Sequence, residues 1–230
     1  MEQIRISAKV LGKVAMDDFC PRCFYILLHS KKLPWQIFPG IFSSIDAYTK
    51  KVAHAWIDKP RRPKFIDDLG VTGWRKPLWH NKSRIDIPEF GITLTGVADD
   101  IWLIGEKGIH IPDAKTARYT DAQDRLIPMY KVQLNGYAKI YTALGENVTG
   151  LSMIYMEPLT DELAAIGGAH PDFFKMQFDP KFVPVEVNIE SLDPLFEKTR
   201  QIYDGKLPEL GENCKDCEAL DKIICGVLIT

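Results

Sequence analysis

Residues 96–115 read GVADDIWLIGEKGIHIPDAK and contain two short apolar runs separated by the turn sequence Gly-Glu-Lys-Gly. Apolar runs of this length on either side of a glycine-containing turn are typical of a β-hairpin. The hairpin would bring Asp99 or Asp100 from its first arm close to Asp113 and Lys115 at the end of its second arm. Two carboxylates and an amine would then share one small volume.

The sequence leaves open which of the adjacent aspartates faces Asp113. If the two turn glycines pair with each other, Asp100 faces Asp113 and Asp99 faces Ala114. A one-residue bulge beside a glycine would reverse this assignment. Aspartate is depleted in strands, so three aspartates in two short apolar arms favour a functional role over an incidental one.

The composition is that of a folded α/β protein. The chain has 230 residues, of which 46% are hydrophobic and 26% are charged, enough to bury a core in one domain. We expect a single domain over 1–230, with its core at about 43–190 and cysteine-bearing ends at about 14–30 and 206–230. The N-terminus has no long apolar run, so we expect a soluble cytoplasmic protein that does not associate with a membrane.

Hydrophobic periodicity and capping residues predict a mixed sheet flanked by helices. We expect a loop at 33–40, an irregular segment at 58–90 and a hairpin over 91–115. Helices are expected at 14–29 with a cap at Asp17 or Asp18, at 45–57 after Ser43-Ser44, at 127–144, and at 191–205 with a cap at Ser191. Further strands are expected at 148–156 and within 174–189.

Basic residues are concentrated between Lys59 and Arg84. This segment has eight lysines and arginines against two aspartates, so it carries +6 while the rest of the chain carries −8. Cations that follow phosphates and aromatic rings that stack on bases would form a groove for single-stranded DNA. The residues expected to contribute are Arg61, Arg62, Trp74, Arg75, Lys76 and Trp79. A solvated loop with its tryptophans packed on the core explains the same pattern equally well.

Five cysteines lie in two groups at opposite ends of the chain, a pattern that favours metal ligation over disulfides. Cys214, Cys217 and Cys225 with Cys20 would supply the four thiolates of an iron–sulfur cluster. Cys20 and Cys23 with Cys214 and Cys217 would instead form a four-cysteine zinc site at standard spacing. The first set leaves Cys23 unused, and the second leaves Cys225 unused.

The hairpin carboxylates suggest a second kind of metal site. Mg²⁺ and Mn²⁺ prefer oxygen ligands, and one or two carboxylates leave room for water and a phosphate oxygen. Such an ion lowers the pKa of bound water, and a nearby lysine stabilises charge that develops on a phosphate. The residues therefore lead to the hypothesis of a nuclease.

Three motifs in order, with cysteines at both ends, carry a family resemblance. The chain has GVAD at 96–99, DAKT at 113–116 and QLNGY at 133–137, with CPR at 20–22. This combination resembles RecB-like nucleases of the PD-(D/E)xK superfamily, in the iron–sulfur branch that includes CRISPR-associated RecB-like exonucleases. The resemblance covers residues 18–225 and implies a restriction-endonuclease-like core whose two ends are joined by a cysteine-ligated cluster.

The resemblance also implies roles for individual residues. Asp99 and Asp113 would be metal ligands together with the Ala114 carbonyl, and Lys115 would be the catalytic lysine. The Gly-x-x-Asp spacing selects Asp99 over Asp100. Further members of the implied site are Gln133 and Tyr137 on the helix after the hairpin, and His54 as an additional metal ligand that favours Mn²⁺.

The same resemblance favours a [4Fe–4S] cluster over zinc. The expected function is that of a Mg²⁺- or Mn²⁺-dependent DNA nuclease, an exonuclease on single-stranded or frayed DNA in recombination, repair or CRISPR-type processing. The expected partners are DNA and a helicase or a recombination or CRISPR protein. The alternative is a non-catalytic iron–sulfur or zinc protein that binds nucleic acid or a recombination partner.

Overall fold

The described residues form two sheets, of which the larger contains the hairpin. The computed structural model describes residues 2–31, 40–120 and 125–228. The helices in these ranges are α1 (Ala8–Gly12), α2 (Pro21–Ser30), α3 (Gly40–Asp58), α4 (Lys64–Asp68), α5 (Ile127–Ala143), α6 (Glu162–Gly168), α7 (Asp193–Asp204) and α8 (Lys215–Leu228). The strands are β1 (Ile4–Ser7), β2 (Gly73–Arg75), β3 (Arg84–Ile87), β4 (Ile92–Thr95), β5 (Ile101–Leu103), β6 (Ile109–Lys115), β7 (Val148–Pro158) and β8 (Phe178–Val185).

The five-stranded sheet has the order β2-β5-β6-β7-β8. β6 and β7 are parallel and are connected through α5, whereas the other neighbours are antiparallel. The smaller sheet has the order β1-β4-β3, with β1 parallel to β4. The expected α/β class with mixed sheets flanked by helices is confirmed.

Strand β7 lies at the centre of the layers. Its residues 151–156 are all buried, so both faces of the sheet are covered here. Leu151, Met153 and Tyr155 belong to the cluster that includes α5, whereas Ile154 and Met156 belong to the cluster that includes α3. Because successive side chains of a strand point to opposite faces, α5 and α3 cover opposite sides of the sheet.

The hairpin register differs from the simplest sequence expectation. The Ile104 amide donates to the Gly108 carbonyl at 2.9 Å, so three residues form the loop instead of two. Trp102 consequently pairs with His110, and Leu103 with Ile109. Continuing this register toward the start of the hairpin places Asp99 opposite Asp113. Of the two alternatives that the sequence left open, the observed register therefore places Asp99, and not Asp100, opposite Asp113.

Two further expectations for the hairpin region need correction. The hairpin does not extend to residue 91, because β4 pairs with β1 and β3 in the smaller sheet. The segment 58–90, expected to be irregular, contributes α4, β2 and β3. The three residues of β2 extend the large sheet by pairing with β5. Short elements of this kind lack enough periodicity to be recognised in the sequence.

Helix starts are less predictable than helix interiors. α2 begins at Pro21, and the Cys20 sulfur caps it by accepting from the Cys23 amide, so the helix does not start near residue 14 or at an aspartate cap. α3 is already helical at Gly40, which places Ser43-Ser44 inside it. The expected loop at 33–40 otherwise lies outside the described residues.

The later helices follow the sequence more closely. α5 matches the expected helix to within one residue at its end. Ser191, however, lies in a short 3₁₀ turn that precedes α7, and Leu192 occupies the cap position without a side-chain hydrogen bond. α6 was not expected. Among the described helices, none has both the length and the apolar character needed to cross a bilayer.

Candidate functional site

The two arms of the hairpin bring Asp99 beside the end of β6. Asp99 Oδ2 accepts a hydrogen bond from the Ala114 amide at 3.1 Å. This bond holds the Asp99 carboxylate against the residue that follows Asp113. The negative charge of Asp99 is close enough to raise the pKa of Asp113. The structure therefore brings together the two aspartates that the Gly-x-x-Asp spacing selects.

Asp113 is a deeply buried carboxyl group with 2% exposure. Burial and the charge of Asp99 raise its pKa to about 6, although Lys115 acts in the opposite direction. Oδ2 forms an ion pair with Lys115 Nζ but accepts no hydrogen bond of ordinary geometry from the described residues. Lys115 Nζ also lies 3.9 Å from the ring centroid of Tyr130, so an aromatic face and a carboxylate hold the ammonium.

Helix α5 presents Gln133 and Tyr137 to the same carboxyl group. They are four residues apart and share one helix face. Gln133 Nε2 lies 3.3 Å from Asp113 Oδ1 and 2.6 Å from the Tyr137 hydroxyl. Gln133 Oε1 is buried and accepts no hydrogen bond from the described residues. Burial and nearby negative charge raise the pKa of Tyr137, so its hydroxyl remains protonated at neutral pH.

Gly96 has a structural reason to be the first residue of the Gly-x-x-Asp motif. A Cβ at this position would lie 2.7 Å from Cε1 of the Tyr137 ring. Any larger residue would push Tyr137 and the start of the hairpin apart. The motif therefore encodes close packing between the aspartate-bearing arm and α5, besides supplying Asp99.

His54 does not join the Asp99–Asp113 pair. Its Nε2 lies 2.9 Å from Asp100 Oδ2, and its ring stacks on Trp74 at 3.5 Å between centroids. Asp100 also accepts from the Ile101 amide at 2.9 Å and from Trp102 Nε1 at 3.0 Å. The adjacent aspartates thus have separate surroundings, because Asp100 forms a buried network with His54.

Lys50 is a charged neighbour of the site that was not predicted from the sequence. Lys50 Nζ lies 3.0 Å from Asp99 Oδ1 and 2.9 Å from Asp46 Oδ2. Lys50 precedes His54 by four residues on α3, so the spacing that singles out His54 also places Lys50 on the same face. Apart from this spacing, the sequence does not distinguish Lys50 from a lysine on a solvent-exposed helix face.

The hairpin residues offer the donor types that Mg²⁺ and Mn²⁺ prefer. Asp99 and Asp113 are carboxylates, Ala114 adds a backbone carbonyl, and Asp113 Oδ2 is a buried oxygen that forms an ion pair with the Lys115 ammonium. These residues fit a divalent cation by chemistry. His54 is held by Asp100 in this structure and is not positioned as a fourth ligand.

Four cysteines form a compact group between the two ends of the chain. In the described part of the chain, this is the one group of three or more His, Cys, Asp or Glu whose ligand atoms all lie within 4.8 Å of one another. The sulfur of Cys23 lies 3.3 Å from that of Cys217 and 3.6 Å from that of Cys214, and the sulfurs of Cys20 and Cys217 are 3.5 Å apart. The group can bind a metal such as zinc or hold an iron–sulfur cluster.

Cys225 lies outside this group, contrary to the ligand set favoured by the resemblance. It is exposed on α8, eight residues after Cys217. A helix rises 1.5 Å per residue, so Cys225 lies about 12 Å further along the axis. The helical conformation of the tail therefore separates these two cysteines. Cys23, which that set left unused, occupies the fourth position.

The surroundings of Cys20 favour a thiolate. Burial raises the pKa of its thiol, but the amides of Cys23 and Gly211 and the neighbouring thiols donate hydrogen bonds that lower it to about 7. The Gly211 amide is 3.2 Å from the sulfur, and a Cβ on Gly211 would lie 3.0 Å from the Cys20 Cβ. A side chain on Gly211 would therefore crowd Cys20, whereas glycine lets the backbone approach the sulfur without displacing it.

The residues expected to bind nucleic acid divide into two sets. Arg62 is paired with Asp67, Arg75 is paired with Glu146, and Trp74 stacks on His54. These three contribute to internal contacts, and Trp74 does so directly beside the candidate site. The exposed set consists of Arg61, Lys76 and Trp79, of which Trp79 is 77% exposed.

Comparison with known proteins leaves the family open. No family model matches the chain, and no curated protein matches it. Among solved structures, the chain is similar to one described as "Crystal structure of SSO0001", with a TM-score of 0.40 and 13% identity over 90% of this chain and 81% of that chain. A similarity this weak carries no argument about fold family or function.

Proposed function

We propose that the protein is a metal-dependent DNA nuclease of the RecB-like PD-(D/E)xK type that acts as an exonuclease on single-stranded or frayed DNA. The observation that supports this proposal most directly is the convergence of Asp99, Asp113, Lys115, Gln133 and Tyr137 at one end of β6. These residues come from three separate sequence motifs. A purely structural role does not account for two close carboxylates, one of them almost fully buried.

Each residue has a defined task in this proposal. Asp99, Asp113 and the Ala114 carbonyl would hold Mg²⁺ or Mn²⁺, and the ion would supply an activated water and positive charge at the phosphate. Lys115 provides a fixed positive charge beside the position of the scissile phosphate. Gln133 orients Asp113 by donating to its Oδ1, and the Tyr137 hydroxyl holds the Gln133 amide in place.

The proposal is tested by substituting Asp113 or Lys115 with alanine. Both variants should lose metal-dependent digestion of end-labelled single-stranded DNA by at least about a hundredfold, a loss typical of removing an electrostatic catalytic group. Lys107→Ala is the matched control, because Lys107 is an exposed lysine of the same hairpin at the opposite end from the site. Circular dichroism checks that the variants are folded.

The result also decides between the nuclease and its non-catalytic alternative. A nucleic-acid-binding protein with an inactive site would bind the labelled strand but leave it intact with Mg²⁺ or Mn²⁺. Digestion that persists at full rate in Asp113→Ala or Lys115→Ala would show that the activity arises elsewhere and would contradict the assignment.

We further propose that the four-cysteine group binds a single tetrahedral ion such as Zn²⁺. A Zn–S bond of about 2.3 Å places tetrahedral sulfurs about 3.8 Å apart. The observed distances of 3.3–3.6 Å are close to this separation. In a four-iron cluster each thiolate binds a different iron atom, which requires a wider arrangement of sulfurs. The geometry therefore favours zinc over the [4Fe–4S] cluster that the resemblance implies.

A further inference from the structure

Lys50 neutralises the carboxylate that would bind the catalytic ion. Its Nζ bridges Asp99 Oδ1 at 3.0 Å and Asp46 Oδ2 at 2.9 Å. Asp46, Lys50 and His54 follow one another at intervals of four residues on α3, so they lie along one face. This face packs against the large sheet beside the end of the hairpin.

Both oxygens of Asp99 are occupied in the structure. Oδ2 accepts from the Ala114 amide, whose position is fixed by β6, whereas Oδ1 meets only the end of a flexible lysine side chain among the described residues. Lys50 has a second acceptor in Asp46, so it can leave Asp99 without losing every partner. A cavity of about 20 Å³ adjoins Lys50, Asp99 and Ala114, which is room for one water-sized species.

We propose that Lys50 is a built-in counter-ion that occupies the cation position at Asp99 and withdraws to Asp46 when a divalent ion binds. The inference rests on the proposed function, since it takes Asp99 as a ligand of that ion. Lys50 thus lowers the affinity of the site for the ion by competing for Oδ1 and by repelling a second positive charge. It also keeps Asp99 paired when no ion is bound.

The direct test is Mn²⁺ binding to the purified full chain without DNA, followed by the paramagnetic signal of free Mn²⁺. The binding of interest is the component that Asp113→Ala removes. Lys50→Met should lower the Kd of this component by at least about tenfold, and Lys50→Gln should act in the same direction. Lys51→Met is the matched control, because it removes the same charge from an exposed neighbour on α3 and should leave the Kd unchanged.

Asp46 provides a second, independent readout. Asp46→Asn removes the second negative charge that holds Lys50, so Lys50 should bind Asp99 more tightly and the Kd for Mn²⁺ should rise severalfold. In the Lys50→Met background the same Asp46 substitution should have little effect, because the two residues act as one unit. An equal effect of Asp46→Asn in both backgrounds would contradict the transfer of Lys50 to Asp46.

The outcomes separate this inference from the proposed function. Unchanged or weaker Mn²⁺ binding in Lys50→Met would overturn the role of Lys50, while Asp113-dependent binding would still support the proposed metal site. Absence of Asp113-dependent binding from the wild type and from both Lys50 variants would overturn both proposals. Thermal melting of each variant confirms that the comparison concerns folded proteins.

Discussion

At the scale of single residues, the candidate site is organised around a carboxyl group that the fold makes hard to ionise. Asp113 is buried, and Asp99 adds a second negative charge nearby, so together they raise its pKa from 3.8 to about 6. The group therefore binds its proton more tightly in the folded chain than in the unfolded chain. A bound cation would compensate the negative charge that makes this position unfavourable.

This difference in pKa predicts how stability depends on pH. Because the folded state holds the proton more tightly, ionisation of Asp113 destabilises the fold as pH rises from about 4 to above 6. A shift of this size corresponds to about 3 kcal/mol in total, of which roughly half falls between pH 5 and 7.5. Asp113→Asn cannot ionise, so it should lack this component. The measurement is urea unfolding of both proteins without divalent metal at pH 5 and 7.5.

The difference between the two proteins isolates Asp113 from other titrating groups. The free energy of unfolding of the wild type should decrease relative to that of Asp113→Asn as pH increases. Added Mn²⁺ should reduce the decrease by binding the ionised carboxylates in the folded state. A constant difference over this pH range would show that Asp113 has an ordinary pKa.

At the scale of elements, the sequence predicted the hairpin and α5 well because each carries a strong local signal. The hairpin has apolar arms and turn glycines, and α5 has a long periodic segment followed by Gly145. The register of the hairpin was harder to predict, because the sequence Gly-Glu-Lys-Gly can form a loop of two residues or a loop of three residues. One hydrogen bond, from the Ile104 amide to the Gly108 carbonyl, decides between them. The family spacing that selected Asp99 agrees with the observed register.

Other elements form by pairing with strands that are distant in the sequence, so the local sequence did not predict them. β4 resembles the hairpin arm that follows it, yet it pairs with β1 and β3 in another sheet. β2 has three residues and is a strand because β5 is available beside it. The role of Lys50 similarly depends on packing of α3 against the hairpin, which no local pattern specifies.

The contact between α1 and α5 gives a prediction at this scale. A Cβ on Gly136 would lie 2.5 Å from the Cβ of Ala8, so Gly136→Ala forces the two helices apart. Alanine is intrinsically better than glycine in a helix by up to about 1 kcal/mol. The clash should outweigh this gain and leave a net destabilisation of about 1–2 kcal/mol, since overpacking typically costs about 1–3 kcal/mol.

The matched control for Gly136→Ala is the double variant with Ala8→Gly. Removing the Ala8 methyl group opens the space that the new Cβ needs, so the double variant should recover much of the lost stability. Denaturant unfolding of the two single variants and the double variant measures the coupling. Strictly additive effects would show that the loss in Gly136→Ala has another origin.

At the scale of the whole molecule, the cysteine group ties the two ends of the described chain together. Cys20 and Cys23 on the α2 side meet Cys214 and Cys217 on the α8 side. Arg22 adds two hydrogen bonds to Asp221, at 2.8 and 3.2 Å. The sequence indicated that the terminal cysteines converge, but the choice of the fourth ligand depended on the course of α8, which becomes visible only in three dimensions.

The metal content of cysteine variants should depend on the four cysteines that lie together in the structure. Cys23→Ser should lose the bound metal and lower the melting temperature by roughly 5–10 °C, as expected for a loss of about 3 kcal/mol in a chain of this size. Cys225→Ser is the control and should retain both, since Cys225 lies outside the group. Elemental analysis of the purified proteins should find about one zinc per chain in the wild type and in Cys225→Ser.

A visible absorption spectrum adds an independent check on the metal. Zinc bound to thiolates is colourless, whereas an iron–sulfur cluster is brown. A brown wild-type protein with about four irons per chain, in which Cys225→Ser loses iron and Cys23→Ser retains it, would reverse the assignment.

The four cysteines of the group are synthesised in two pairs, one early and one late in translation. Cys20 and Cys23 leave the ribosome early, whereas Cys214 and Cys217 are translated after every residue of the candidate active site. A nascent chain that stalls before residue 214 contains all of the catalytic candidates but only half of the thiols. An ion bound by all four thiols would therefore require that the intervening residues have been synthesised and have folded closely enough for the two ends to meet.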